Sequence, residues 1–253
     1  MHEHNTTPLI QVKHLTIGYE SGTVLERISF EVYEGEIFAV LGGSGCGKST
    51  LLKHLIGLMP PRAGTITIDG ICITACSEKE LHQLQRKIGV LFQSGALLGS
   101  LTLADNVALP IRAYTPLPEE AIATLVRLKL HQVNLSGYED YLPSEISGGM
   151  KKRAGLARAL ALNPKILFFD EPSAGLDPVM AAELDHLIVQ LNKLLGTTMV
   201  IVTHDLQSIF TVAQRVIVLD KTTKSIIAQG DPRRLRDESR DPYVRRFFNR
   251  QAA

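Results

Sequence analysis

The chain has 253 residues, 45% apolar and 21% charged, with a formal net charge of +1, which excludes a disordered polyelectrolyte and a strong pull toward nucleic acid or anionic lipid. Three cysteines, Cys46, Cys72 and Cys76, are too few for a disulfide framework or a zinc site and fit a reducing compartment. The first residues, MHEHNTTPLI, lack the start of a secretory signal, and no apolar run nears the roughly 20 residues of a membrane span, so the expected address is the cytosol.

After a polar extension (1–8), LIQVKHLTIGY (9–19) and VLERISFEVYEGE (24–36) read as antiparallel strands. The run IFAVL (37–41) reads as a buried strand leading into GGSGCGKST (42–50) and the helical TLLKHLIGLM. Gly42 through Ser49 match G-x-x-x-x-G-K-[ST], the phosphate-loop pattern. Its glycines, Gly42, Gly43, Gly45 and Gly47, let the backbone amides around Ser44 and Cys46 turn inward on phosphates. Lys48 then reaches the outer phosphates, and the Ser49 hydroxyl is placed for Mg²⁺. This is a nucleoside-triphosphate site.

Further along, TITIDGICI (65–73) sets Asp69-Gly70 between alternating apolar residues, a two-residue hairpin signal. The short strand VLF (90–92) delivers Gln93, whose amide can touch Mg²⁺ or water. Leu97, Leu98, Leu101 and Leu103 follow it. They form either a docking surface or part of the interior of a helical insert expected from about 98 to 160. At SEISGGMKKRAGLARAL (144–160), Ser147 reads as an N-cap, with Gly148 and Gly149 as a loop or as bare backbone able to meet a phosphate.

The run ILFF (166–169) ends in Asp170-Glu171, two acids at a strand's C-terminal end, where open α/β folds bind ligands. Asp170 suits Mg²⁺ coordination, and Glu171 suits acceptance of a proton from attacking water. MVIV (199–202) leads to His204 at the same level, placed to contact the terminal phosphate and fix that water. VIVL (216–219) is the last strand expected. Alternation of these runs with helical stretches predicts a parallel sheet covered on both faces, with an antiparallel β layer beside it. The tail (231–253) holds seven arginines and four acids; it reads as a solvated helix or as a docking element built on Phe247 and Phe248.

The phosphate loop Gly42–Thr50, Gln93, Ser147–Gly149, the Asp170-Glu171 strand end, SAGLD (173–177) and His204 stand in an order that resembles the ABC-transporter ATPases, over about residues 9 to 230. The resemblance implies a P-loop ABC-ATPase fold with a RecA-like parallel-sheet core, an antiparallel β subdomain and an inserted α-helical subdomain, working on ATP and Mg²⁺. It implies that Tyr19 stacks on adenine, that Ser147, Gly148 and Gly149 form the signature loop, and that Asp177 belongs to the loop linking two sites. It also implies a head-to-tail pair of copies, each ATP lying between one copy's phosphate loop and the other's signature loop.

Met150 stands where the general family pattern has Gln. The run from Ile146 to Val179 resembles a narrower branch, the ATPases of Mla-type lipid transporters, in which Met occurs here. That branch implies a phospholipid permease as partner, with an MCE-type lipid-binding protein and a small STAS-domain protein. It further implies a role in outer-membrane lipid asymmetry and a place on the cytoplasmic face of the inner membrane. The alternative within transporters is the ATPase of a nutrient importer, for instance for amino acids. DNA- or ribosome-acting relatives usually carry two cassettes, a long coiled coil or zinc clusters, and none is present, so no nucleic-acid partner is expected. A GTPase reading lacks its guanine loop, because Asn192-Lys193 is followed by Leu194-Leu195 without the Asp.

Overall fold

A computed structural model describes residues 7–249. Of the polar extension and the tail, residues 1–6 and 250–253 lie outside the described residues. In chain order the elements begin β1 (Ile10–Tyr19), β2 (Gly22–Val32), β3 (Ile37–Gly42), α1 (Lys48–Leu55), β4 (Ala63–Ile68), β5 (Ile71–Cys72) and α2 (Glu78–Gln85). Next come β6 (Ile88–Leu91), α3 (Leu103–Tyr114), α4 (Glu119–Gln132), a 3-10 turn (Pro143–Glu145), α5 (Gly148–Ala159), β7 (Ile166–Asp170) and α6 (Pro178–Leu195). The chain closes with β8 (Thr198–Val202), α7 (Leu206–Val212), β9 (Arg215–Asp220), β10 (Ser225–Gly230), α8 (Pro232–Glu238) and α9 (Pro242–Phe248). Two compact units result, one running to Gln85 and resuming at Thr198, the other spanning Arg86–Thr197.

The first unit carries an antiparallel sheet in the order β2-β1-β4-β5. In β1 the buried residues are Ile10 and Val12, then Leu15 and Ile17. The parity changes because the register slips between Val12 and Leu15, where His14 takes φ 47°. A bulge of this kind is the only way a strand can move its apolar set from even to odd positions and keep one face dry. The predicted hairpin is present: Asp69 and Gly70 both have positive φ, 49° and 77°, as a type I′ turn requires.

The same unit holds parallel strands, with β3 paired to β8 on one side and to β9 on the other. Every residue of β3 and of β8 is buried, which explains their unbroken apolar runs. Leu51, Leu52 and Leu55 bury one face of α1, each contributing about 1.5–3 kcal/mol. β10, antiparallel to β9, was not expected. Its residues are only half-buried or exposed, so SIIAQG carries neither a full apolar run nor clean alternation.

The second unit pairs β6 with β7 in parallel and holds the four helices α3 to α6. α6 has both its ends written locally: Asp177 caps its start, Pro178 opens its first turn, and Gly196 ends it at φ 66°. Of the leucines after Gln93, Leu103 is fully buried, whereas Leu98 is 46% exposed. The interior reading therefore holds for Leu103 and not for Leu98. Among the described residues no helix is long and apolar enough to cross a membrane.

Candidate functional site

In the first unit the phosphate loop runs from the end of β3 into α1. Gly42 takes φ 154°, and a Cβ there would lie 2.6 Å from the Leu219 carbonyl oxygen and 2.5 Å from the Cys46 sulfur. Gly45 and Gly47 take φ 73° and 102°, also in the region that favours glycine. Gly43 has open space where a side chain would stand, so its backbone is accessible. Gly47 caps α1 without a side-chain hydrogen bond, and the first turn of α1 carries no acid. An N-terminus of this kind presents its amides and the positive end of the helix dipole to an anion. Lys48, 7% exposed, donates from Nζ to the carbonyls of Gly42 (2.9 Å) and Gly43 (3.2 Å), which keeps its ammonium over the loop.

Ser49 is exposed and Thr50 buried at the start of the same helix. The Thr50 hydroxyl lies 3.2 Å from the Tyr19 hydroxyl, so the end of β1 sits beside α1, with the Tyr19 ring 41% exposed. Cys46 is buried, and burial pushes its thiol above the usual range against the pull of Lys48, so it behaves as a small packing residue. His204 is exposed just beyond β8. The next residue, Asp205, caps α7 by accepting from the Gln207 amide at 3.0 Å.

In the second unit Gln93 is exposed two residues past β6. Asp170 is the last residue of β7, and Glu171 follows it with φ 47°. A β-carbon is strained in that region, and a non-glycine residue held there is a pointer to function. Ser147 does cap α5: its Oγ accepts from the Met150 amide at 3.2 Å. The glycines are not a loop running into that cap, however. Gly148 and Gly149 are the first two residues of the helix, so their amides belong to the helix's free N-terminal set. Asp177 caps α6, with one carboxylate oxygen accepting from the Val179 and Met180 amides at 3.0 Å each.

The profile of a family described as ABC transporter matches residues 25–174. The chain belongs to the ABC transporter family. It is similar to the probable ribonucleotide transport ATP-binding protein mkl of Mycobacterium leprae, 46% identical over 240 residues, covering 95% of this chain and 68% of that protein. It is also similar to the intermembrane phospholipid transport system ATP-binding protein MlaF of Haemophilus influenzae, 40% identical over 240 residues, covering 95% and 90%. Among solved structures, a dimeric ATP-binding cassette in a post-hydrolysis state bound to ADP and Pi matches with TM-score 0.80 and 30% identity, covering 88% of this chain and 98% of that one. The cassette cbiO1 of Clostridium perfringens, part of the ABC transporter complex cbiONQ, matches with TM-score 0.84 and 32% identity, covering 91% of each chain. The expected fold is the observed one, and the chain is an ABC ATPase: it binds and hydrolyses ATP as the ATP-binding subunit of a transporter.

Two cations in this ABC ATPase were not singled out from the sequence as site residues. Lys152 and Arg158 lie on α5, and both turn inward on backbone carbonyls. Lys152 is 5% exposed and donates to the carbonyls of Gln93 and, at 3.3 Å, Glu171. Burial lowers its pKa, and the nearby charges of Glu171 and Asp170 oppose that shift. Arg158 donates to the Ala96 carbonyl at 2.8 Å and the Gly95 carbonyl at 3.0 Å. Lys152 stands four residues before Leu156, on the stripe of the helix that is buried, but a lysine at that spacing reads as solvated until the packing is seen.

Proposed function

We propose that this ABC ATPase energises a separate membrane permease for phospholipid, in maintenance of outer-membrane lipid asymmetry. The working unit is a head-to-tail dimer with its permease, an MCE-type lipid-binding protein and a STAS-domain protein, on the cytoplasmic face of the inner membrane. The observation that carries the catalytic part is Glu171, held in the left-handed region directly after β7. A carboxylate there can accept the proton of the water that attacks the γ-phosphate.

The other roles follow residue by residue. The amides of Gly43 to Ser49 and the Lys48 ammonium bind the phosphates, and the Tyr19 ring stacks on adenine. His204 orients the attacking water. Ser49, Gln93 and Asp170 hold Mg²⁺, a donor set that suits an ion bound by few protein ligands and several waters. When bound, it neutralises charge that develops on the phosphate oxygens. Ser147, Gly148 and Gly149 meet the γ-phosphate of the partner copy's ATP, and Asp177 stands in the segment between the two sites.

Support for the lipid substrate is the Ser-Gly-Gly-Met run at 147–150 together with the 40% identity to a phospholipid transport protein. The second reading is an importer of a soluble nutrient, and the 46% identity to a protein named for ribonucleotide transport favours it. Purification of the chain from native membranes in mild detergent, with mass spectrometry of what accompanies it, separates the two. A permease with an MCE-type protein and bound phospholipid supports the lipid reading. A permease with a soluble substrate-binding protein overturns it and leaves the ATPase reading in place. For the base, Glu171→Gln is expected to keep ATP binding and lose turnover roughly 10²–10⁴-fold. Turnover within about threefold of wild type overturns the assignment, since a general base contributes at least about 10²-fold.

A further inference from the structure

The α5 helix begins with the Ser147–Gly149 segment and continues inward through Lys152, Gly155 and Arg158, three positions that each meet the chain following β6 or β7. Lys152 Nζ donates to the Gln93 carbonyl and to that of Glu171. One turn on, Gly155 lies so close to Gly95 that a Cβ would stand 2.9 Å from the Gly95 oxygen and 3.1 Å from its Cα. One turn further, Arg158 binds the Gly95 and Ala96 carbonyls. Both backbones held this way depart from ordinary geometry, with φ 49° at Ala96 and φ 47° at Glu171. Strained backbone persists only where its surroundings over-determine it.

Lys152 is the one residue of the three that touches both segments. A lysine ammonium has three donors that rotate freely, so it can serve two carbonyls of different direction at once, which a planar amide or a backbone amide cannot do as readily. We propose that Lys152 is a positioning residue: its ammonium locks the Gln93 and Glu171 backbones to α5, so that the general base and the Gln93 amide are held in one arrangement with the signature segment at the start of the same helix. The proposal rests on the reading of Glu171 as the base. It makes Lys152 the point through which a displacement of the signature segment, set by the partner copy, reaches the residues that act on this copy's own ATP.

The test uses the full chain, comparing wild type, Lys152→Met, Lys152→Arg, Glu171→Gln and Lys152→Met/Glu171→Gln for kcat and KM with Mg-ATP. Lys152→Met keeps length and bulk and removes the donors. It is expected to lower kcat about 10- to 100-fold, the scale of an ångström-level misplacement of a catalytic group, with KM for ATP within about threefold. Lys152→Arg is expected to recover most of the loss. In the Glu171→Gln background Lys152→Met is expected to lower the residual rate clearly less than it lowers the wild-type rate, because the part of its effect that acts through the Glu171 carboxylate is gone and only the part through Gln93 remains. A kcat within about threefold of wild type for folded Lys152→Met overturns the proposal, as does a full additional loss in the double variant. Should Lys152→Met not fold, Lys152→Ala adds no apolar bulk beside the two carbonyls and is read on the same criteria. If Glu171→Gln itself turns over normally, the base assignment has failed, a result separable from the response of Lys152→Met alone.

Discussion

Asn106→Ala removes the anchor of the loop that follows Gln93. The Asn106 side chain is fully buried on α3. Its Oδ1 accepts from the Leu98 amide at 2.8 Å, and its Nδ2 donates to the carbonyls of Leu98 (3.1 Å), Leu101 (3.1 Å) and Thr102 (2.9 Å). Two of those acceptors keep another donor: Thr102 has the Asn106 amide at 3.0 Å, and Leu98 has the Leu101 amide at 3.1 Å. The real loss is the pairing of the Leu98 amide and the Leu101 carbonyl. A buried group left unpaired costs about 1–3 kcal/mol, and the partial exposure of Leu98 admits water. The expected destabilisation is therefore about 2–3 kcal/mol, less a few tenths for the better helix propensity of Ala. For a chain of this length that is a Tm drop of roughly 5–10 °C. Hydrogen exchange should show it locally, with the Leu98 amide exchanging at least about 30-fold faster, since 1.4 kcal/mol is tenfold. A Tm within about 2 °C of wild type with unchanged exchange at Leu98 refutes the reasoning, because roughly 2–4 °C is expected for each kcal/mol.

Lys48→Ala deletes the ammonium held over the phosphate loop and is expected to weaken ATP binding itself by at least about tenfold, or roughly 1.4 kcal/mol; an unchanged Kd by calorimetry would remove Lys48 from the site. Gly149→Ala separates fold from function: the added Cβ meets chiefly the Met180 methyl, at 2.1 Å, the mobile end of a flexible side chain. Its Tm is expected within a few degrees of wild type, since helix propensity gains up to about 1 kcal/mol, whereas ATP-dependent dimerisation in gel filtration falls. Wild-type dimerisation would show that the start of α5 needs no bare backbone. The Glu31 carboxyl is held below the ordinary range by hydrogen bonds from Gln11 first and Tyr33 second. A depressed folded-state value contributes stability that is present above the unfolded pKa, about 4.3, and is lost as pH falls through the lower folded value. Gln11→Ala should raise the Glu31 pKa followed by NMR and shrink the loss of stability on acidification below about pH 4.3, and an unmoved titration contradicts the assignment.

Much of this protein was legible in its sequence because the signals are local. The glycines of the phosphate loop, the Asp69-Gly70 turn and the Ser147 cap each need a conformation or a donor that only a few residue types supply over two to four positions. The buried strands β3 and β8 announce themselves because both faces are dry and the run of apolar residues is unbroken. What the sequence withheld depends on neighbours far along the chain. The parity change in β1 is a bulge at His14 that only the pairing with β2 and β4 reveals, and β10 exists because β9 offers it an edge. Whether Leu98 or Leu103 faces inward was settled by Asn106, whose four hydrogen bonds fold the loop onto α3. The Gly148–Gly149 pair was readable as flexible backbone, but that it lies inside the first turn of α5 followed only from the helix in place. Lys152 is the clearest case: a lysine in an amphipathic pattern reads as solvated, and only the packing of α5 against the chain after β6 and β7 turns its charge onto two carbonyls 78 residues apart.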